Sequence, residues 1–248
     1  MTTIFSRCRA GLNTQDCPAL LRARRPRLGF AFTELLVVLA VLSVLAAIVV
    51  PLVSRARAKT RLAQCVGNLE KVSRAILIYA DEHQKTLPAL ASSPAPGAWW
   101  WYKEQVKGYI GLTAPSSPSD KVFACPSDRG YDEEGSIKPF SQSAKHDFQS
   151  YVFNGVNLPG VPNIAGRELS SIKDPARTLL VMEWTAHAPL SWHRSQTGRA
   201  NTPFYNDAES VVAFVDGRAS LTKIYFDGMN AAYTRDPIPG YGYKYSGD

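Results

Sequence analysis

The chain has 248 residues, a formal net charge of +7 and a sequence pI near 9.3. Residues 1–29 carry six arginines and one acid, whereas the other 219 residues hold 22 basic and 20 acidic groups. The remainder is therefore nearly neutral, which excludes a broad phosphate-binding face, and no nucleic-acid partner is expected. The length allows one membrane segment and one domain of ordinary size.

An apolar stretch of 24 residues, Phe30–Val53, follows the basic segment and contains one charged side chain, Glu34. At about 1.5 Å per residue, a helix of this length spans roughly 36 Å and exceeds a hydrocarbon core of about 30 Å. Pro51 removes a backbone donor within the stretch and predicts a kink. We therefore predict a membrane-spanning helix over residues 30–53, preceded by a basic leader over residues 1–29.

The glycine that ends the leader stands before the apolar stretch, so cleavage there would leave the membrane helix on the mature protein. A secretory signal has a shorter apolar core, followed by its cleavage site. Residues 29–34, GFAFTE, resemble the N-terminus of type IV prepilins and type II secretion pseudopilins, and Pro51 stands in register with them. The resemblance implies cleavage after Gly29 by a prepilin peptidase, methylation of Phe30, and assembly roles for Glu34 and Pro51.

Glu34 should have a partner, because an ionised carboxylate in hydrocarbon costs at least about 2.5 kcal/mol. Cleavage after Gly29 would create an α-amine on Phe30, one helical turn away. That amine could pair with Glu34 of its own chain or of a neighbouring subunit, and only the second pairing would make the charge an assembly device. The alternative is a carboxylate that water solvates at the lipid headgroups.

After Val53 the pattern becomes amphipathic, and apolar residues recur at helical spacing over residues 54–87. This face consists of Leu62, Val66, Leu69, Val72, Ile76 and Tyr79. Pro88 ends the pattern, since the residue before a proline avoids helical angles. We expect one helix from Phe30 to about Asp81, whose second half packs on a globular head formed by residues 88–248.

The head combines short strand patterns with loops rich in glycine and proline, and its tail over 237–248 is expected to be irregular. The predicted strands cover residues 122–128, where the strand enters a turn, and residues 150–154, 178–184, 210–215 and 219–225. Asp216-Gly217 predicts a hairpin turn, residues 104–110 predict a short helix, and the aromatic cluster at 99–102 is interpreted as core packing. We therefore predict an α+β fold of pilin-like type, in which the long helix packs on a small antiparallel sheet.

Two cysteines, Cys65 and Cys125, follow the membrane segment and lie 60 residues apart. Their spacing does not match the clustered pairs of a zinc site. In an oxidising compartment they can form one disulfide, and otherwise they are two independent small buried residues. No metal and no cofactor is predicted.

Several short sequence motifs after the membrane segment, called marks below, resemble those of a subgroup of pilin-like proteins from planctomycete and verrucomicrobial-type bacteria. The marks are CVGNL at 65–69, CPSD at 125–128, SYVFNG at 150–155, a segment from Pro175 to Glu183, and a late histidine before VAFVDGR at 212–218. The late histidine is His193, which stands farther from Asp216-Gly217 than is usual in that subgroup. The similarity implies a pilin-like head.

The sequence gives little support for enzymatic activity, and no such activity is predicted. The nearest hydrolase set is Ser191, His193 and Asp207, without a Gly-x-Ser-x-Gly elbow. The four histidines are His83, His146, His187 and His193. They lack metal-ligand spacing and are expected in solvent-exposed loops. Some pseudopilins bind calcium, for which Asp216 and Asp227 are conceivable ligands, but a turn-forming aspartate is the preferred interpretation.

Two functions remain open. The first is a structural subunit of a type IV pilus-like or type II secretion pseudopilus filament, with a cytoplasmic N-terminus and a periplasmic head. Its partners would be other pilin or pseudopilin subunits, prepilin peptidase, an inner-membrane assembly platform and membrane lipid. The alternative is a membrane-anchored periplasmic enzyme or ligand-binding protein that shares only the anchor. The sequence does not distinguish secretion, motility and DNA uptake.

Overall fold

The computed structural model describes residues 32–89, 100–130, 138–155, 161–187, 191–193, 208–225 and 236–248. Four residues named above lie outside this part of the chain: Gly29, Phe30, Asp207 and Asp227. The described residues divide into two compact units, one that ends at Val49 and one that begins at Val50.

Helix α1 spans Phe32–Glu82 and contains Pro51 in its interior. Within the first unit, residues 32–49 are helical and exposed. The Ser43 hydroxyl is satisfied inside the helix, because its Oγ donates to the carbonyl oxygen of Ala40 at 2.7 Å. By length and composition, α1 is long and apolar enough to cross a membrane.

Within the second unit, the amphipathic part of α1 packs on the head. Leu69, Val72 and Ile76 are fully buried in one core, and Leu62 and Val66 are partly buried against it. The predicted apolar face is therefore confirmed as the packing face of the helix. The helix ends at Glu82, close to its predicted end.

Four antiparallel strands form one sheet in the order β1-β2-β3-β4. They are β1 (Tyr151–Phe153), β2 (Leu179–Glu183), β3 (Ala208–Phe214) and β4 (Ala219–Ile224). The register pairs Tyr151 with Glu183 and Ala213 with Ala219. The α+β layout, a long helix packed on a small antiparallel sheet, is thus confirmed.

The predicted hairpin joins β3 and β4. Gly217 has a φ of 88°, a left-handed angle that glycine adopts without strain. Asp216 Oδ1 accepts a hydrogen bond from the backbone N of Arg218 at 3.0 Å. Asp216 is therefore a turn-forming aspartate in this structure.

Both faces of the sheet are covered, each by a separate core. Helix α1 and the short helix α2 (Tyr102–Val106) contribute to the first core. Residues 236–248 cover the other face, where Tyr243 and Tyr245 are almost completely buried. This tail is irregular, yet it is a structural layer, since its aromatic side chains pack on strand residues such as Met182.

Over residues 122–128 the predicted strand is wrong, but the turn predicted at its end is present. Lys121–Phe123 form a 3-10 turn instead, and the backbone N of Asp128 donates to the carbonyl oxygen of Cys125 at 2.9 Å. The predicted helix over 104–110 begins earlier, as α2, and continues as a 3-10 turn over Lys107–Ile110. Trp100, Trp101 and Tyr102 are buried, in agreement with the core-packing interpretation.

Candidate functional site

Residues 32–53 of α1 present an apolar surface on every side. The exposed fractions of the large apolar residues run from 40% at Val53 to 73% at Phe32. Contiguous exposed apolar surface is typical of sites that contact lipid or other proteins. Glu34 is exposed near the described start of the helix. Pro51 belongs to the second unit and lies in the interior of α1.

A second candidate site lies within the head, where Cys65 of α1 meets Cys125. The two sulfurs are 2.12 Å apart and form a disulfide, and the Cα atoms are 4.9 Å apart. Both residues are buried, with 0% and 3% of their surface exposed. The bond joins the helix to the turn that begins at Lys121.

Side chains from two directions hold that turn. Asn68, one turn after Cys65 on α1, donates from Nδ2 to the carbonyl oxygens of Lys121 and Ala124 at 3.0 and 2.9 Å. Ser150, which precedes β1, accepts from the backbone N of Cys125 through Oγ at 3.0 Å. These side chains satisfy backbone groups that a strand would otherwise pair, which explains why residues 122–128 form no strand.

Asp128, the last residue of the CPSD mark, anchors the same turn. Its Oδ2 accepts from Ser150 Oγ at 2.7 Å and from the backbone N of Ser141 at 2.9 Å. Its Oδ1 accepts from the backbone N of Gly130 at 2.8 Å. Burial raises the pKa of Asp128 above its ordinary value, although these hydrogen bonds oppose the rise. The carboxyl group is thus a structural link between three chain segments.

Glu183, the last residue of β2, brings a buried carboxylate to the disulfide. It pairs with Tyr151 in the sheet, so both side chains lie on the same face. That face is directed toward α1, because the Tyr151 hydroxyl lies 3.5 Å from the carbonyl oxygen of Cys65. Glu183 Oε2 accepts from the backbone N of Val211 at 2.8 Å, which fixes the carboxylate between β2 and β3.

His193 completes the cluster. Its Nε2 lies 2.8 Å from Glu183 Oε1 and 3.9 Å from Cys125 Sγ. The side chains of His193 and Glu183 are only 3% and 0% exposed. The expectation of solvent-exposed histidines is wrong for His193 and for His187, which is also buried.

Ser191 orients the backbone of His193. Its Oγ donates to the backbone carbonyl of Glu209 and accepts from the backbone N of His193 at 3.1 Å. The His193 ring contacts the Glu183 carboxylate. The third member of the candidate hydrolase set, Asp207, lies outside the described residues.

The cluster thus unites four donor residues: Cys65, Cys125, Glu183 and His193. One ligand atom from each lies within 4.8 Å of the others. The sequence offered the Cys65–Cys125 disulfide as one of two alternatives, but the spacing along the chain gave no sign that Glu183 and His193 join the two cysteines.

The protein-family models, the curated proteins and the solved structures with which the chain was compared include no match.

Proposed function

We propose that the chain is a structural subunit of a type IV pilus-like or type II secretion pseudopilus filament, processed by prepilin peptidase after Gly29. The observation that supports this proposal is the contrast along α1. Residues 32–53 are apolar and exposed all round, whereas Leu69, Val72 and Ile76 are buried against the head. A helix with these two parts carries one surface for assembly and one for its own domain.

The exposed part of α1 suits two successive environments. Lipid covers its apolar surface while the subunit is in the inner membrane, and the equivalent helices of other subunits cover it in the filament. Close packing of long helices needs local adjustment, which Pro51 supplies because it cannot donate to the carbonyl oxygen of Ala47.

Glu34 sets the axial position of each incoming subunit in this proposal. Its carboxylate pairs with the N-terminal α-amine of a neighbouring subunit, which exists only after cleavage between Gly29 and Phe30. Uncleaved chains cannot make this pair, so processing precedes assembly. An unpaired carboxylate in the apolar bundle would cost at least about 2.5 kcal/mol, which disfavours subunits that are out of register.

The disulfide suits the same role. Cys65 lies on α1 and Cys125 on a turn of the head, so the bond ties the head covalently to the helix. A subunit that is extracted from a membrane by its helix must bring its head along. A covalent tie withstands such a force better than apolar packing alone.

N-terminal sequencing and mass spectrometry of the protein from its native cells test the processing step. The expected N-terminus is Phe30 with a methylated amine. Retention of Met1, or a start near Lys59, would contradict the proposal and favour the anchored enzyme or ligand-binding protein.

The assembly role is tested with Glu34→Ala, and Glu70→Ala serves as the matched control, since Glu70 is an exposed acid farther along α1. We expect both variants to be cleaved and only Glu34→Ala to be missing from sheared filaments. Normal incorporation of Glu34→Ala would refute the role of the carboxylate in assembly.

A further inference from the structure

The cluster around the disulfide carries an inference that does not depend on the proposed function. We propose that, when the Cys65–Cys125 disulfide is reduced, both sulfurs bind one Zn²⁺ ion together with His193 Nε2 and the Glu183 carboxylate. The same two sulfurs would then serve two alternative cross-links, one covalent and one through a metal.

The donor set is the first argument. Two thiolates, one imidazole and one carboxylate are ligand types that Zn²⁺ takes in four-coordinate protein sites. Thiolate sulfur also selects Zn²⁺ over the hard cations Mg²⁺ and Ca²⁺. The four residues come from α1, the turn at Cys125, the end of β2 and the segment 191–193, so the folded head assembles the site.

The distances are the second argument. Neighbouring ligand atoms in a tetrahedral zinc site are about 3.3–3.8 Å apart, given bonds of about 2.0–2.3 Å. Cys125 Sγ and His193 Nε2 are 3.9 Å apart, close to this spacing, whereas His193 Nε2 and Glu183 Oε1 are at a hydrogen-bond distance of 2.8 Å and must move apart by about 0.5 Å. The two sulfurs separate once the disulfide is reduced, and rotation of the cysteine side chains allows them to reach this spacing.

The surroundings are the third argument, since metal ligands need partners that orient them. Glu183 Oε2 is held by the backbone N of Val211 at 2.8 Å, so Oε1 is directed toward His193. The backbone N of Ser127 lies 3.4 Å from Cys125 Sγ and would donate to a thiolate there. The backbone of His193 is fixed by Ser191. The burial of Cys65 and Glu183 keeps bulk water away from the site.

The chemistry balances with a named reductant. A dithiol transfers two electrons and two protons to the disulfide, which leaves two protein thiols and an oxidised dithiol. Zn²⁺ then displaces one proton from each thiol. To bind Zn²⁺ through Nε2, His193 gives up the hydrogen bond between Nε2 and Glu183 Oε1 and carries its proton on Nδ1 instead.

The disulfide and the metal exclude each other, because both use the lone pairs of the same sulfurs. Each ties α1 to the turn at Cys125, so the head stays fixed on the helix under oxidising and reducing conditions. Bound Zn²⁺ also shields the thiols from oxidation until it leaves.

Co²⁺ binding tests the site, with the full chain in detergent micelles and with Cys8→Ser and Cys17→Ser to remove the leader thiols. A water-soluble phosphine reduces the disulfide, taking oxygen from water to form its oxide, and is then removed without air. We expect the reduced protein to bind one equivalent of Co²⁺ with thiolate charge-transfer absorption and the visible bands of tetrahedral coordination. Zn²⁺ should displace the Co²⁺, and the oxidised protein should bind none.

His193→Gln and Glu183→Gln keep both cysteines and are each expected to weaken Co²⁺ binding at least about 10-fold. His83→Gln is the matched control, because His83 is exposed at the end of α1. Circular dichroism of each oxidised variant verifies its fold. Absence of stoichiometric Co²⁺ binding in the reduced parent would overturn the proposal. Unchanged affinity in both His193→Gln and Glu183→Gln would do the same, since two thiols alone would then account for binding.

Discussion

Asn68 donates from one amide nitrogen to the carbonyl oxygens of Lys121 and Ala124, at 3.0 and 2.9 Å. The side-chain NH₂ group has two donors, so a single asparagine can satisfy both carbonyls. Asn68 lies one helical turn beyond Cys65, and Ala124 directly precedes Cys125. The pairing therefore fixes the turn at the position where the two sulfurs meet.

Asn68→Ala should lower the free energy of unfolding by about 1–3 kcal/mol, because two backbone carbonyls lose their donor. The measurement is chemical denaturation of the full chain in detergent with the disulfide intact. Lys71→Ala is the matched control, as Lys71 is an exposed residue of the same helix. If both variants unfold at the same denaturant concentration, Asn68 does not hold the turn.

The main elements of the fold could be predicted because their signals are local. Leu69, Val72 and Ile76 recur at the spacing of one helix face, and the dipeptide Asp216-Gly217 is typical of a hairpin turn. The helical pattern depends only on which side of the helix is buried, and not on which part of the chain covers that side. The sequence could not show that residues 236–248 cover the second face of the sheet, since that tail has no regular period.

The cluster in the head could not be predicted, because its members come from four distant segments. Cys65 and Cys125 are 60 residues apart, and Glu183 is a single acid at the end of an apolar run. The failed strand at residues 122–128 has a related cause. Hydrogen bonds from Asn68 and to Ser150 satisfy that backbone, and such distant partners leave no local mark.

Loss of the disulfide should be costly. Cys125→Ser opens a loop of 60 residues and is expected to lower the free energy of unfolding by about 4 kcal/mol through the entropy of the unfolded chain. The parent protein and Cys125→Ser are both denatured in the presence of a chelator, so that no bound metal contributes to the difference between them. The double variant Cys8→Ser/Cys17→Ser leaves this bond intact and serves as the control. An unchanged midpoint in Cys125→Ser would show that the bond contributes nothing.

Lys103 and Asp120 form an ion pair at 3.0 Å, with side chains that are 0% and 9% exposed. Lys103 Nζ also donates to the carbonyl oxygen of Asp147 at 2.6 Å. Asp120→Asn removes the carboxylate that the buried ammonium contacts and should cost about 3–5 kcal/mol. The exposed pair Lys85–Asp81 offers the control, since Asp81→Asn should cost no more than about 1 kcal/mol.

The pH dependence of Asp120→Asn is a separate test. Burial lowers the pKa of Lys103, and the hydrogen bond with Asp120 opposes this shift. Without Asp120 the pKa falls further, so the folded state loses its proton at a lower pH than the unfolded state. Where the unfolded state binds more protons, stability rises with pH. Unfolding followed toward alkaline pH should show the deficit of Asp120→Asn shrinking, and a constant deficit would contradict this explanation.

His187 should make the head sensitive to acid. Burial lowers the pKa of His187 to about 3, far below the usual value near 6.5. Its ring lies 5.3 Å from that of Trp184 and 6.2 Å from that of Tyr245, measured between centroids. The folded state therefore holds the ring neutral while the unfolded state takes up a proton. This contribution is fully present above pH 6.5 and is lost as the pH falls toward 3, to a limit of roughly 4–5 kcal/mol.

His187→Phe should remove that dependence, which is measured as the difference between wild-type and variant unfolding free energies at successive pH values. The comparison is needed because burial raises the pKa values of Asp128 and Asp147, and these groups change stability with the opposite sign. The prediction is contradicted if the His187→Phe difference is flat between pH 7 and pH 4, because the ring would then be protonated equally in both states.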